Sequence, residues 1–377
     1  MTLRVLHFFK NYLPDSFGGT ERVIHALATG TAPLGVETTV LSLSRHPENT
    51  VIDGHRAEKA GISLDLASTP MSFDALRQFR RLAREADLIH YHFPYPLADV
   101  AHLLLAGGKP ALVTYHSDVV RQHRIMAFYR PLMHRFLRRM GMIVATSPQY
   151  AASSSVLRHY ADKVEVIPLG LADRSTNVDQ GKVEQWRARF PRPFILFTGA
   201  LRYYKAIGVL LEAARISGLP VIIVGSGPKE AQWRAKAESL GLANVHFVGG
   251  VPDEDKDALL NLCTALVMPS NVRSEAFGLS LVEAAMFSKP MVSCDIATGT
   301  SYVNVHGETG FVVPPSNPQA LAGAMNRLVD ETELATELGA AARRHYEALF
   351  TRETMAASYL SLYRRLANAS GRDQQQV

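Results

Sequence analysis

Two carboxylates and two cations in the second half of the chain have the types and spacing to handle a charged, hydroxylated ligand. In SNVRSEAFGLSLVEAAMFSKP, residues 270–290, Glu275 stands in a polar loop and Glu283 in the apolar helix that the spacing predicts from about Gly278. The N–H groups of Phe277, Gly278 and Leu279 are then first-turn donors without helical partners, and such an end attracts anions. Glycine there lets a ligand come close to the backbone. Glu283 lies four residues after Leu279, on the same helix face. Two carboxylates repel a phosphate standing alone, but they accept hydrogen bonds from sugar hydroxyls. A molecule with a diphosphate between two sugars, a nucleotide-sugar, satisfies the whole set. The same residues also fit a helix with one glutamate in solvent and one against the helix dipole.

The cations come earlier, in FTGALRYYKAIGVLLEAA, where Arg202 and Lys205 follow a strand that ends at Gly199. Three residues apart in one loop, they suit the oxygens of a diphosphate and the charge left when it departs; two solvated surface cations are the plainer reading. In VIIVGSGPKE, Gly225 and Gly227 mark a tight turn near a bound base, without the third glycine of a dinucleotide fingerprint. In the first half, Gly18 and Gly19 precede a helix with Thr20 as its cap and Glu21 in its first turn. His116 ends the strand in ALVTYHSD, a position suited to chemistry. His90 and His92 in HYH share a strand face, a metal pair that lacks a third ligand, so the non-metal reading is preferred.

The elements that must position these residues alternate in type. RVLHFF, TTVLSL, LIHYH, ALVTYH, MIVATS and VEVIPLG read as strands separated by helices, and after the polar stretch LADRSTNVDQGK the pattern restarts with FILFTG, VIIVGSG, VHFVGG, ALVMPS, MVSCD and GFVVPP. This is the signature of parallel sheets covered on both faces, an α/β chain of two doubly wound, Rossmann-like domains. The boundaries are 1–173 for the first domain, 174–182 for a linker, 183–350 for the second, 351–369 for a C-terminal helix returning to the first, and 370–377 for a disordered tail. Two rows of strand ends facing each other make a cleft the expected site.

Composition agrees with a globular protein: 377 residues, 47% hydrophobic and 20% charged, allow about two domains, each large enough for a core. No stretch is apolar enough for a signal peptide or membrane span, which points to the cytoplasm. Cys263 and Cys294 lack metal-ligand spacing and read as core residues. The net charge of +5 arises entirely within residues 1–182. No acidic residue occurs between Asp118 and Asp162, while Arg121, Arg124, Arg130, Arg135, Arg138 and Arg139 alternate with apolar residues in an amphipathic helical pattern. That stretch reads as a solvated face or a membrane-surface helix. No nucleic-acid-binding signature accompanies it.

Taken together, FGGTE, HSD, LRYYK and EAFGLSLVE, in that order over nearly the whole chain, resemble the retaining glycosyltransferases of family 4, which have the GT-B architecture. LRYYKAIGVLLEAA and the segment from Glu275 to Pro315 resemble bacterial mannosyl- and rhamnosyltransferases of surface-polysaccharide assembly that use GDP-sugars. The resemblance implies that Glu275 holds hydroxyls of the transferred sugar, with the amides of Phe277, Gly278 and Leu279 near sugar and phosphate, and that Glu283 binds the ribose. Arg202 and Lys205 then carry the diphosphate, Gly18 and Gly19 approach it, and His116 contacts the sugar near the reacting carbon. It further implies no cofactor, no metal and no covalent nucleophile, a lipid-linked glycan acceptor, and a peripheral place on the inner leaflet of the cytoplasmic membrane, with the Arg121–Arg139 helix on the lipid. A UDP-sugar-dependent member of the family, a sugar-nucleotide 2-epimerase and a non-catalytic nucleotide-sugar sensor are the alternatives. Where the family commonly has glycine after the lysine, this chain has Ala206, which helical backbone would tolerate.

Overall fold

The first sheet is built from short runs of buried aliphatic residues, as strands covered on both faces require. The structure, a computed structural model, describes residues 2–66, 69–119 and 123–373. Strands β1 (Leu3–Phe8), β2 (Val36–Ser44), β3 (Asn49–Ile52), β4 (His55–Gly61), β5 (Leu64–Leu66), β6 (Thr69–Met71), β7 (Leu88–Phe93), β8 (Ala111–Tyr115), β9 (Met142–Ala145) and β10 (Val164–Val166) alternate with helices α1 (Gly19–Thr31), α2 (Phe73–Glu85), α3 (Pro96–Leu105), α4 (His123–Arg139), α5 (Pro148–Ser153) and α6 (Ser155–His159). Eight of these strands form one sheet in the order β10-β9-β8-β7-β1-β2-β4-β3, parallel except for β3 against β4; β5 and β6 form a separate hairpin. The order reverses direction between β1 and β7, whose neighbouring strand ends open the switch point where α/β sheets take ligands.

The second sheet follows the same logic. Helices α7 (Gln180–Arg189), α8 (Ile207–Ser217), α9 (Glu230–Ser239), α10 (Asp253–Leu262), α11 (Leu279–Met286), α12 (Thr300–Val303), α13 (Pro318–Asp330) and α14 (Thr332–Leu349) alternate with β11 (Ile195–Thr198), β12 (Val221–Val224), β13 (Val245–Gly249), β14 (Ala265–Met268), β15 (Met291–Cys294) and β16 (Gly310–Val313). The sheet is wholly parallel, in the order β13-β12-β11-β14-β15-β16, with its switch point between β11 and β14. Ile195, Phe197, Val221, Ile223, Val267 and Val292 meet Leu210, Leu211, Leu321, Met325 and Leu328 in its core. Cys263 and Cys294 are buried free thiols, and burial pushes both up, to about 11 and about 12.

The chain divides into two compact units, residues 1–171 with 352–377, and residues 172–351. The last helix, α15 (Arg352–Asp373), belongs to the first unit and packs against α1. Its helical course takes in residues 370–373, which the sequence assigned to a tail; residues 374–377 lie outside the described residues. Similarly, α7 begins at Gln180, inside the stretch read as a linker. Strand β4 went unread because HRAEKAG lacks an apolar run, and the four-residue β3 pairs only with it. Glu58 and Lys59 are nevertheless buried in it, Lys59 between Asp15 and Glu48 at 3.3 and 3.0 Å. Among the described residues, no helix is long and apolar enough to cross a membrane.

Candidate functional site

Lys205, Glu275 and Gly278 sit in the two loops that leave the switch strands of the second unit. After β11, a single 3₁₀ turn, Tyr203–Lys205, ends in Ala206 at φ 49° and ψ 39°, and α8 starts behind it. The helical backbone that would make alanine harmless at position 206 is therefore not what the chain adopts. This is left-handed backbone, which costs a residue with a Cβ about 1–2 kcal/mol. The loop after β14 joins it through Tyr203 Oη and Ser274 Oγ, 3.0 Å apart, and through the Asn271 N–H to the Tyr204 carbonyl at 3.3 Å.

Between these loops the Lys205 ammonium lies 2.6 Å from Glu275 Oε2, which also accepts from the Ser270 hydroxyl at 3.2 Å. Both charged side chains are only about a tenth exposed. Burial works against the charge on Lys205, but the adjacent Glu275 carboxylate outweighs it and holds the lysine above its ordinary value. Glu275 Oε1 takes no hydrogen bond from a described residue.

Three residues on, Gly278 caps α11 with φ at 89°. A Cβ there would be strained, and it would lie 2.8 Å from Met268 Cε. Among the described residues, the N–H groups of Phe277, Gly278 and Leu279 meet no acceptor, so the helix start presents a cluster of donors.

Glu283 is buried, which removes the reading of a glutamate in solvent. Its Oε1 accepts from Lys256 Nζ at 2.6 Å and from Arg174 at 3.1 Å, and Arg174 makes two further bonds to Asp257, at 2.9 and 3.0 Å. Burial opposes the charge on Arg174, yet Asp257 and Glu283 hold its pKa above the ordinary arginine value. Sequence reasoning missed Arg174, Lys256 and Asp257. Arg174 stands in a stretch without periodicity, and Lys256 and Asp257 stand in DEDKD, which reads as a solvated helix start.

Arg202 is not drawn into this network: it is exposed, and its guanidinium has no partner among the described residues. Gly225, at φ 132°, is explained by packing, because a Cβ there would lie 2.0 Å from the Gly199 carbonyl oxygen. The loops after β11 and β12 thus touch backbone to backbone.

In the first unit, α1 begins at Gly19 with Gly18 as N-cap and no side-chain cap, so Thr20 does not cap it. Glu21 is buried and accepts from the Ser16 hydroxyl at 2.7 Å. His116 follows β8, its N–H bonded to the Phe93 carbonyl at 3.1 Å, and its Nε2 is 2.9 Å from Nδ1 of His92. His92 Nε2 is in turn 3.0 Å from Nδ1 of His7 on β1. His7 supplies the third nitrogen that the His90/His92 pair lacked in the sequence, with one nitrogen from each ring within 4.8 Å of the others. Both nitrogens of His90, however, are engaged, by Tyr363 Oη at 2.8 Å and Thr114 Oγ1 at 2.7 Å. Burial is the first cause that lowers the pKa of each ring, to about 3 for His7 and His116 and well below the ordinary value for His90 and His92; neighbouring histidines lower the first, third and fourth of these rings, His7, His90 and His92, further.

Of the six arginines assigned to the basic helix, Arg130, Arg135, Arg138 and Arg139 are exposed on α4; Arg121 lies outside the described residues, and the Arg124 side chain lies outside the described side chains. The apolar face of α4 is spent on the domain itself, because Met133, Phe136 and Leu137 are buried. Phe128 alone of its large apolar residues with described exposure stands well out, 89% exposed.

Two doubly wound parallel sheets, with charged loops at the switch point of one, are the GT-B layout. In agreement, sucrose-phosphate synthase from Thermosynechococcus elongatus superposes with a TM-score of 0.81 at 22% identity, over 97% of this chain and all of that one. Anabaena HepE, solved with UDP and glucose, gives 0.77 at 19% identity, over 96% and 99%. Family models match both halves: "Glycosyltransferase Family 4" over residues 17–173 and "Glycosyl transferases group 1" over residues 182–345. The chain is 49% identical to D-rhamnosyltransferase WbpZ of Pseudomonas aeruginosa over 93% of its length and 92% of the relative's. It is 44% identical to O-antigen chain mannosyltransferase C of Escherichia coli, over 96% and 98%. The chain belongs to glycosyltransferase family 4, and its chemistry is glycosyl transfer.

Proposed function

We propose that this enzyme moves a hexose, mannose or rhamnose, from a GDP-sugar to a lipid-linked glycan in O-antigen assembly, with retention of configuration and without a metal ion. The names of the two full-length relatives support the sugar and the pathway. The observation that carries the site is the buried Lys205–Glu275 pair beside the unpartnered amides of Phe277, Gly278 and Leu279. In this reading Glu275 turns Oε1 to hydroxyls of the transferred sugar while Lys205 and those amides take the diphosphate. Arg202, exposed, closes on the same phosphates. Glu283, oriented by Lys256 and Arg174, accepts from the ribose hydroxyls, with Gly225 beside the base. The family resemblance assigns Gly18 and Gly19 to the diphosphate and His116 to the sugar. Catalysis is then positioning plus stabilisation of the charge that develops on the departing diphosphate.

Calorimetry with GDP, UDP, ADP and their hexose conjugates, with and without EDTA, on wild type and Glu283→Ala tests the donor site. Tight GDP binding that survives EDTA and is lost in the variant is the expected result. UDP binding in its place keeps the family and discards the GDP-sugar reading, and conversion of the donor with no acceptor present favours an epimerase.

The acceptor reading places the enzyme at the cytoplasmic face of the inner membrane, with Arg130, Arg135, Arg138 and Arg139 on anionic headgroups and Phe128 in the interface. At about 1 kcal/mol per arginine, replacing Arg135, Arg138 and Arg139 by glutamine weakens sedimentation with anionic vesicles by about 10². Donor binding stays intact. Unchanged sedimentation returns α4 to a solvated face.

A further inference from the structure

The rings of His7, His92 and His116 form one hydrogen-bonded file that runs from the buried centre of the first sheet to a strand end. Its two links are His7 Nδ1 to His92 Nε2 at 3.0 Å and His92 Nδ1 to His116 Nε2 at 2.9 Å. His7 and His92 are buried, whereas His116 keeps partial exposure. His90 walls the file on one side: its ring centroid lies 4.6 Å from that of His7 and 4.4 Å from that of His92. Tyr363 and Tyr359 of α15 fix His90 in turn, the first directly and the second through Thr114 Oγ1 at 2.6 Å.

A neutral imidazole has one N–H and one acceptor nitrogen. Each link therefore needs its proton from one side only, and the same atom names recur at both links. If His7 carries its proton on Nδ1, His92 must accept at Nε2 and hold its own on Nδ1, so His116 accepts at Nε2 and presents Nδ1–H. If His116 carries its proton on Nε2, His92 and His7 follow as Nε2–H, and His116 presents a bare Nδ1. A mixed file leaves two N–H groups head to head, or two lone pairs, in a buried place, at a cost of about 1–3 kcal/mol. Burial lowers the pKa of all three rings, and the titratable groups acting on them from β4 and β7 are other histidines, His55 on His7 and His90 on His92.

We infer that His7 and His92 are positioning residues that hold His116 neutral and in a single tautomer shared by all three rings. This rests on His116 contacting the transferred sugar, because a sugar hydroxyl or a forming cation tells a donor Nδ1–H from an acceptor Nδ1. His7 and His92 act through His116 alone and touch no substrate.

Two-bond ¹H–¹⁵N correlation of ring-labelled histidines in the full chain reads the tautomers directly, with signals assigned by single substitutions. The expected spectrum shows His7, His92 and His116 all as Nδ1–H or all as Nε2–H, with no titration between pH 8 and 5. In His92→Phe, His116 is cut off from His7, averages between tautomers and titrates, and kcat falls about tenfold while the donor KM stays within about twofold. Mixed or averaging tautomers in wild type, or any of the three rings charging in that range, overturn the inference without needing a variant that folds. A folded His92→Phe with wild-type kcat and an unchanged His116 signal also overturns it. Wild-type turnover in His116→Ala, by contrast, removes the sugar contact and leaves a uniform file standing.

Discussion

The two units solve the burial of polar groups at their switch points in opposite ways. In the second, charge is kept and matched: Lys205 with Glu275, and Lys256 and Arg174 with Glu283. In the first, charge is given up, and His7, His92 and His116 sit as neutral rings whose hydrogen bonds satisfy one another. A paired charge keeps a field that a diphosphate or sugar hydroxyl can feel, and removing one partner strands the other in a low dielectric. A neutral ring carries no net charge, only a dipole whose direction follows its tautomer. The second unit is thus equipped for electrostatics and the first for orientation.

The largest effect expected from breaking this contrast is at Lys205. Lys205→Met leaves Glu275 buried without its cation, which lowers stability by about 3–5 kcal/mol and turnover by about 10² or more. Lys205→Met with Glu275→Leu restores most of the stability and none of the turnover. Denaturant unfolding beside a transfer assay separates the two, and a double variant as unstable as the single would show that the pair is not the buried unit described.

Acid distinguishes the units next. The file's histidines have folded pKa values below the ordinary 6.5, so the unfolded chain takes up protons first as pH falls. Their stabilising contribution is full above about pH 6.5 and is lost as pH falls below it, toward the folded values of about 3 for His7 and His116, at about 1.4 kcal/mol per pH unit for each ring. Asp99, hydrogen-bonded by Tyr129 and pushed up to about 7 by burial, runs the other way: its contribution is present below the unfolded value of 3.8 and fades as pH rises toward 7. Lys205, held above the ordinary lysine value, stays charged throughout that range. Urea unfolding followed from pH 7.5 to 4.5 should therefore show the first unit failing first, and loss of both units together would erase the distinction.

The smallest effect lies in the second unit's loop. Ala206→Gly exchanges a strained left-handed alanine for a residue at ease there, at some cost in unfolded-chain entropy, for a net gain of about 0.5 kcal/mol. A loss of stability in differential scanning calorimetry would mean that the alanine methyl, which is buried, packs well enough to outweigh the strain.

All six strands of the second sheet and six of the first were legible as short β-branched runs, since a strand covered on both faces must be apolar along its length. β4 was not, because its buried Glu58 and Lys59 are made tolerable not only by Arg56 beside them but by Arg81, Asp15 and Glu48, which come from other parts of the chain. At the site, Glu275, Gly278, Glu283 and Lys205 could be picked out from loop and helix-start spacing. That Lys205 and Glu275 bind each other, 70 residues apart, could not. The apolar stripe of α4 showed equally in sequence, but whether it met lipid or its own sheet depended on what lay beneath it.

The sequence by itself determined the two α/β units, the loops of the candidate site and the family, because these rest on local periodicity, on glycines at strand ends and on motifs a few residues long. The tertiary structure decided the partners of every buried charge and the direction built into the histidine file. Those depend on which strands become neighbours, and a parallel sheet sets neighbours by crossover connections rather than by distance along the chain.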